Sequence, residues 1–239
     1  MSKFRSVVTN CVRLMRNVCL DFKYGGFLGG TRKTRYSHLG VEDTASTDYG
    51  VLPLIFTTDT IQQSDVLVDI GCGKGRVINW WLSRGFANQI VGIELDETIA
   101  RGTQWRLRRY KNVKIIWGDA LVHLPENGTI FYLYNPFKEP WVLGLKHRLE
   151  LLFAKRGGIT VFYYNCVYSE VFKNDPSWLV EEIVLDQRFH RLAVIRMQVE
   201  NLDRDPALGS SSGMGAGHIR ASSLRRKRDF VQEGIVSDR

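Results

Sequence analysis

The sequence predicts an α/β fold, a doubly wound and mostly parallel sheet closed by an antiparallel hairpin. The first observation behind it is an apolar run, Val66-Leu67-Val68, that leads into Asp69-Ile-Gly-Cys-Gly-Lys-Gly75. Arg76-Val-Ile-Asn-Trp-Trp-Leu82 then places apolar residues at helical spacing, so the order is strand, glycine turn, helix. The second is a series of four apolar runs, each ending in polar residues, as expected at the ligand-binding edge of an open α/β sheet. The third is a late pair of runs, Leu179–Leu185 and Arg191–Val199, whose connection is short enough for a hairpin.

Taken in order, residues 1–24 form a basic amphipathic helix. Phe4, Val7/Val8, Cys11, Leu14/Met15 and Val18 recur at helical spacing, and Arg5, Thr9, Arg13 and Arg16 take another face. Such a helix can pack on its own domain, pair with a second subunit, or lie on an anionic membrane surface. No apolar run reaches transmembrane length, and Arg13 and Arg16 interrupt what could resemble a signal core. Residues 25–48 open with Gly25-Gly-Phe-Leu-Gly-Gly30, a hinge, and continue as a polar, lid-like segment. A helix is expected over 53–63, just after Tyr49.

The first strand ends at Asp69, and the glycines beyond it permit positive φ and close approach of a ligand to the backbone. The free N–H groups at the start of the next helix favour an anionic group. A dinucleotide fingerprint would need a third glycine at position 76, which is Arg76, and no P-loop pattern is present. Ile90-Val-Gly-Ile-Glu94 is a second strand ending in an acid that can accept from ribose hydroxyls. Val113–Trp117 is a third, followed by Gly118-Asp119-Ala120, where a carboxylate can reach an adenine amino group. Thr129–Tyr134 is a fourth and ends in Asn135-Pro136-Phe137. Any single acid can merely cap a helix, as Asp96 can. Beyond Phe137 come a helix over about 139–153, a strand over Gly158–Tyr163, a short helical piece around 168–174, and the hairpin strands.

The spacing D-x-G-x-G-x-G with these strand-end residues resembles the class I S-adenosylmethionine (SAM)-dependent methyltransferases. It is most similar to a large, mostly uncharacterised group that pairs D-x-G-x-G-K-G-R with a Y-N-P-F strand end. The resemblance covers about Tyr49 to Val199. It implies a seven-strand, Rossmann-like methyltransferase sheet of order 3-2-1-4-5-7-6, with the methyltransferase domain at 49–200. It also implies SAM as cofactor. Asp69, Gly71 and Gly73 would line its methionine end, Gly75 would open the helix, Glu94 would hold the ribose, and Asp119 with Ala120 the adenine. Tyr134, Asn135, Pro136 and Phe137 would form the loop beside the transferring methyl, and Tyr49 would border the cofactor. Asn135, Phe137 and Tyr49 are therefore the catalytic candidates. Tyr49 can equally be a packing residue at a helix start. Lys74 is expected to be solvated.

Charge and cysteine usage agree with a reduced, cytoplasmic enzyme. The net charge of +8 is concentrated in residues 1–40, which carry +7 with Asp21 as the lone acid. Residues 41–202 carry −1, which argues against a broad nucleic-acid footprint on the core. Arg106, Arg108, Arg109 and Lys111 cluster where a helix end would place solvated cations. Residues 201–239 are rich in Gly, Ser and Asp, include Leu224-Arg-Arg-Lys-Arg228, and read as a disordered tail. Cys11, Cys19, Cys72 and Cys166 form no C-x-x-C pair, and the five histidines show no metal spacing, so no metal is expected. Cys72 reads as a small neutral filler.

The sulfonium of SAM makes its methyl electrophilic, and positioning a nucleophile behind that carbon supplies about 7–11 kcal/mol in favourable cases. A lysine amine would need about 4–5 kcal/mol of deprotonation at pH 7, part of which an aromatic, desolvated pocket supplies. An amide oxygen at Asn135 and the Phe137 ring suit an amine acceptor, and Y-N-P-F resembles the N-P-P-Y loops of nitrogen methyltransferases while lacking their second proline. A nitrogen of a protein or small molecule is the favoured acceptor. A hydroxyl of a glycan or lipid precursor is the alternative and would want a base, for which His38 is the candidate. A SAM-binding scaffold without turnover is the reading from another class. The membrane and subunit readings of residues 1–24 stay open.

Overall fold

The computed structural model describes residues 2–29, 46–56, 61–134, 138–185 and 191–198, with side chains described from residue 11 onward. Seven strands form one sheet of order β3-β2-β1-β4-β5-β7-β6. They are β1 (Val66–Ile70), β2 (Gln89–Glu94), β3 (Val113–Trp117), β4 (Ile130–Tyr134), β5 (Thr160–Tyr164), β6 (Trp178–Val184) and β7 (Arg191–Met197). The first five pair in parallel, and β7 runs antiparallel to both β5 and β6. The strand order is the one that the resemblance implies, and the last two strands pair antiparallel as expected.

The central strand explains why its run is unbroken. Val66, Val68 and Ile70 pack into one core with α6 (Glu139–Phe153), while Leu67 points into the opposite core with α3 (Arg76–Ser83). Every residue of β1 is buried, the pattern of a parallel strand covered on both faces. The second core is aromatic: Phe56 stacks on Trp80 at 5.5 Å and meets Trp81, Tyr132 and Phe162 at 5.2–5.6 Å. Asp96 caps α4 (Glu97–Leu107), its carboxylate accepting from Ile99 N at 3.0 Å.

Two expectations change. Of the helix expected over 53–63, the described residues show the single turn α2 (Leu52–Ile55), and residues 57–60 lie outside the described residues. Residues 61–65 instead form a turn, with the Asp65 carboxylate accepting from Gln62 N at 2.6 Å, a local bond that competes with helix. Arg106 does not share the solvated helix end. Its guanidinium turns inward and donates to Tyr24 O, Asn79 Oδ1 and Lys74 O, and burial lowers its pKa.

Helix α1 (Ser2–Lys23) packs on the domain mainly through its polar side, with Leu20 against the aromatic core. Arg13 pairs with Asp48 at 3.1 Å, Asn17 Oδ1 accepts from Tyr49 N at 3.1 Å, and Asp21 is fully buried. Asp21 takes a two-point contact from Arg76, Nε at 3.1 Å and Nη2 at 2.6 Å, and accepts from Leu28 N. The apolar residues Val12, Leu14, Met15 and Phe22 face outward. Gly25 and Gly26, both at positive φ, end the helix.

Candidate cofactor site

The turn after β1 shows why glycine recurs at every second position. Gly71, Gly73 and Gly75 have φ of 70°, 51° and 73°, conformations that L side chains rarely adopt. Gly71 N and Cys72 N both donate to Ile93 O, tying the turn to β2, and Gly75 is the N-cap of α3. A Cβ on Gly75 would also lie 3.0 Å from Thr103, so the helix sits close against α4.

Two carboxylates converge behind this turn. Asp69, at the end of β1, is buried, and its Oδ2 has no hydrogen-bond partner among the described residues. Burial, together with the nearby charge of Glu94, pushes its pKa up to about 8. Glu94, at the end of β2, accepts from Gly73 N at 2.8 Å and from Asp96 N at 2.9 Å. Burial raises its pKa and these two backbone donors oppose the rise. The cleft above them is lined by Ser46, Thr47, Asp69, Gly71, Gly73 and Tyr134, among others. The empty space of the cleft, open to solvent, is about 340 Å³. Thr47 also lines the cleft, its hydroxyl bonded to the Tyr132 hydroxyl at 2.8 Å and its carbonyl accepting from Arg76.

The donor set fits a SAM-like molecule. A buried carboxyl with a partnerless oxygen is the complement of an ammonium group, which would offset the cost of ionising it there. The positive-φ turn admits a ligand against the backbone, and Glu94 keeps further lone pairs for hydroxyls.

The remaining candidates separate. Asp119 caps α5 (Ala120–His123), with Oδ1 accepting from Leu121 N at 2.9 Å, at the same carboxyl edge of the sheet, and Ala120 is buried beside it. Tyr134 packs on Tyr164 with ring centroids 4.8 Å apart. Tyr49 does not line the cleft. It is fully buried, its hydroxyl accepts from Asn79 at 3.3 Å, and the Arg76 guanidinium lies over its ring at 5.3 Å. Its packing reading is the one that the geometry supports. Asn135, Pro136 and Phe137, and His38, lie outside the described residues. Lys74 is not simply solvated, since Nζ donates to Gly29 O at 3.1 Å. Cys72 is buried, and burial raises its thiol pKa, as a neutral filler requires.

Arg76, Asp21 and Thr47 are the residues that the sequence reading missed. The signal for the first two was present: Asp21 is the lone acid of residues 1–40, and Arg76 is the arginine that closes D-x-G-x-G-K-G-R.

No protein-family model matches the chain. It is 33% identical over 85 residues to a probable ribosomal RNA small subunit methyltransferase A of Methanococcus aeolicus, covering 34% of this chain and 30% of that protein. It is 26% identical over 176 residues to a tRNA (guanine-N(7)-)-methyltransferase of Eremothecium gossypii, covering 63% and 58%. The chain thus spans well under two thirds of the length of these curated relatives. Among solved structures, an RNA methyltransferase of Salinibacter ruber in complex with S-adenosyl-L-homocysteine superposes with a TM-score of 0.52 at 19% identity. That match covers 67% of this chain and 98% of that one. The sheet order, the two-sided helical cover and this likeness give the chain the seven-strand, Rossmann-like fold of methyltransferases.

Proposed function

We propose that the chain is a SAM-dependent methyltransferase of the group that pairs D-x-G-x-G-K-G-R with Y-N-P-F, and that its acceptor is a nitrogen. The observation that carries the cofactor reading is Asp69, a buried carboxyl with one oxygen that no described residue partners, beneath a turn of three positive-φ glycines. Asp69 would accept from the amino group of SAM, Gly71 and Gly73 would flank its methionine end, Glu94 would take the ribose, and Asp119 the adenine amino group. When bound, SAM supplies an electrophilic methyl, so the protein's task is to orient the acceptor and shed its proton. Asn135 and Phe137, which follow β4 in the sequence, would do this.

The curated relatives are named for RNA, so a nitrogen of an RNA base joins the protein and small-molecule amines to be tested. The charge of −1 over residues 41–202 weighs toward the latter. A hydroxyl of a lipid or glycan precursor is the second reading, favoured by the outward apolar side of α1.

The test is transfer of labelled methyl from SAM into a lysate resolved into protein, nucleic-acid, lipid or glycan, and small-molecule fractions, with an Asp69→Ala, Glu94→Ala double variant as blank. Label in protein, RNA or amines that the blank lacks supports a nitrogen acceptor once hydrolysis and chromatography show an N-methylated residue or base. Label in the lipid or glycan fraction replaces nitrogen by oxygen. SAM binding measured by calorimetry with no transfer to any fraction moves the reading to a binding protein.

A further inference from the structure

We propose that the outward face of α1 is a docking surface for an anionic lipid bilayer. The helix is anchored to its domain by polar contacts, Arg13 to Asp48, Asn17 to Tyr49 N and Asp21 to Arg76, which occupy one side. The opposite side carries Cys11, Val12, Met15, Cys19 and Phe22, with Leu14 on its flank. Val12, Leu14, Met15 and Phe22 are each 60–66% exposed. This inverts the usual arrangement, in which an amphipathic helix buries its apolar stripe against its own core. Contiguous exposed apolar side chains on a helix mark a surface that meets something else.

Charge decides what that is. Asp21 is the helix's lone acid, and it is buried and neutralised by Arg76, so the outward face bears no carboxylate. Arg16 and Lys23 run along one border of the apolar side and are exposed. On the cationic border the surface dips into a groove of about 380 Å³ between α1 and α3. Arg16, Lys23 and Arg84 line it over Trp80 and Pro53, and among the described residues no acidic side chain does. Among the described residues no carboxylate pairs with any of these three cations, and Leu54, beside Pro53, is half exposed. An apolar strip that inserts at the acyl boundary, bordered by a cation groove that holds headgroup phosphates, is the chemistry of an interfacial helix on anionic lipid.

The test is sedimentation of the full chain with vesicles of phosphatidylcholine alone or with 30% phosphatidylglycerol. Binding is expected to the anionic vesicles and to fall as salt rises. Arg16→Gln with Lys23→Gln should weaken it roughly 25-fold, about fivefold per cation, and Met15→Glu with Phe22→Glu should abolish it. All four positions are solvent-facing, and an unchanged melting temperature verifies that the variants fold. Equal binding to both vesicle types, binding untouched by either double variant, or no binding overturns the proposal. A concentration-dependent dimer that Phe22→Glu dissolves, with no vesicle binding, would assign the face to a second copy instead.

Discussion

Replacing Asp69 by asparagine separates the site's binding chemistry from its cost to folding. In the unfolded chain this carboxyl titrates at its ordinary value of 3.8, whereas in the folded protein burial holds the proton until about pH 8. Between those values the native state binds more protons than the unfolded state, so stability falls as pH rises through the window. At about 1.36 kcal/mol per pH unit, the upper-bound cost grows from roughly 1.6 kcal/mol at pH 5 to roughly 4 kcal/mol at pH 7. The substituted amide does not titrate, and Glu94 is common to both proteins. The stability difference between variant and wild type should therefore shift by up to about 2.7 kcal/mol in favour of the variant from pH 5 to pH 7. Urea denaturation of the two proteins at pH 5, 6 and 7, without added SAM, measures that difference directly. The absolute values depend on how an amide packs there, but the change with pH does not. Parallel pH profiles would refute the buried-carboxyl argument and with it the claim that Asp69 is held apart from solvent for a cationic ligand.

The same carboxyl predicts that SAM affinity of the wild type rises with pH toward 8, with proton uptake or release measured by calorimetry in buffers of different ionisation enthalpy. Below pH 8, binding the ammonium should release a proton from Asp69, and Asp69→Asn should abolish that release. Asp21→Ala strands the buried Arg76 guanidinium and should cost about 3–5 kcal/mol in chemical denaturation. Arg13→Ala breaks a partly exposed pair and should cost less than about 1 kcal/mol. Thr47→Val leaves the buried Tyr132 hydroxyl without this partner and should cost about 1–3 kcal/mol in chemical denaturation. Gly92→Ala puts a Cβ within 2.9 Å of Cys72, Ile78 and Ile115 and should lower stability by about 1–3 kcal/mol through overpacking.

The parts of the fold that were legible are those set by short-range pattern. Strand, turn and helix at Val66–Ser83 follow from a β-branched run, three alternating glycines and a 3.6-residue repeat, each visible within a few residues. Helix α6 spans Glu139–Phe153, where the periodicity places it, with Pro140 in its first turn. Asp69 and Glu94 were legible because strand ends in parallel sheets collect at one edge. Tyr49 was not decided by sequence because its neighbours in space, Asn79 and Arg76, stand 30 and 27 positions away, and only their contacts show that it is enclosed.

Helix α1 shows why periodicity stops short of docking. A repeating apolar stripe states that a helix has two unlike faces, but it carries no information on which face meets the domain. That choice was made by a few long-range polar contacts. Asp21 and Arg76 lie 55 residues apart and close on one another at 2.6 Å in a buried site. Once Asp21 is committed to Arg76, helical geometry fixes Asn17 and Arg13 on the same side and sends Met15 and Phe22 to the other. The arginine that ends the glycine motif therefore does two things at once. It opens the helix beneath the cofactor turn, and it anchors α1 so that its apolar side is presented outward. Loss of the Asp21–Arg76 pair should release both, and vesicle binding and SAM affinity should then fall together in Asp21→Asn, while Met15→Glu with Phe22→Glu lowers vesicle binding alone.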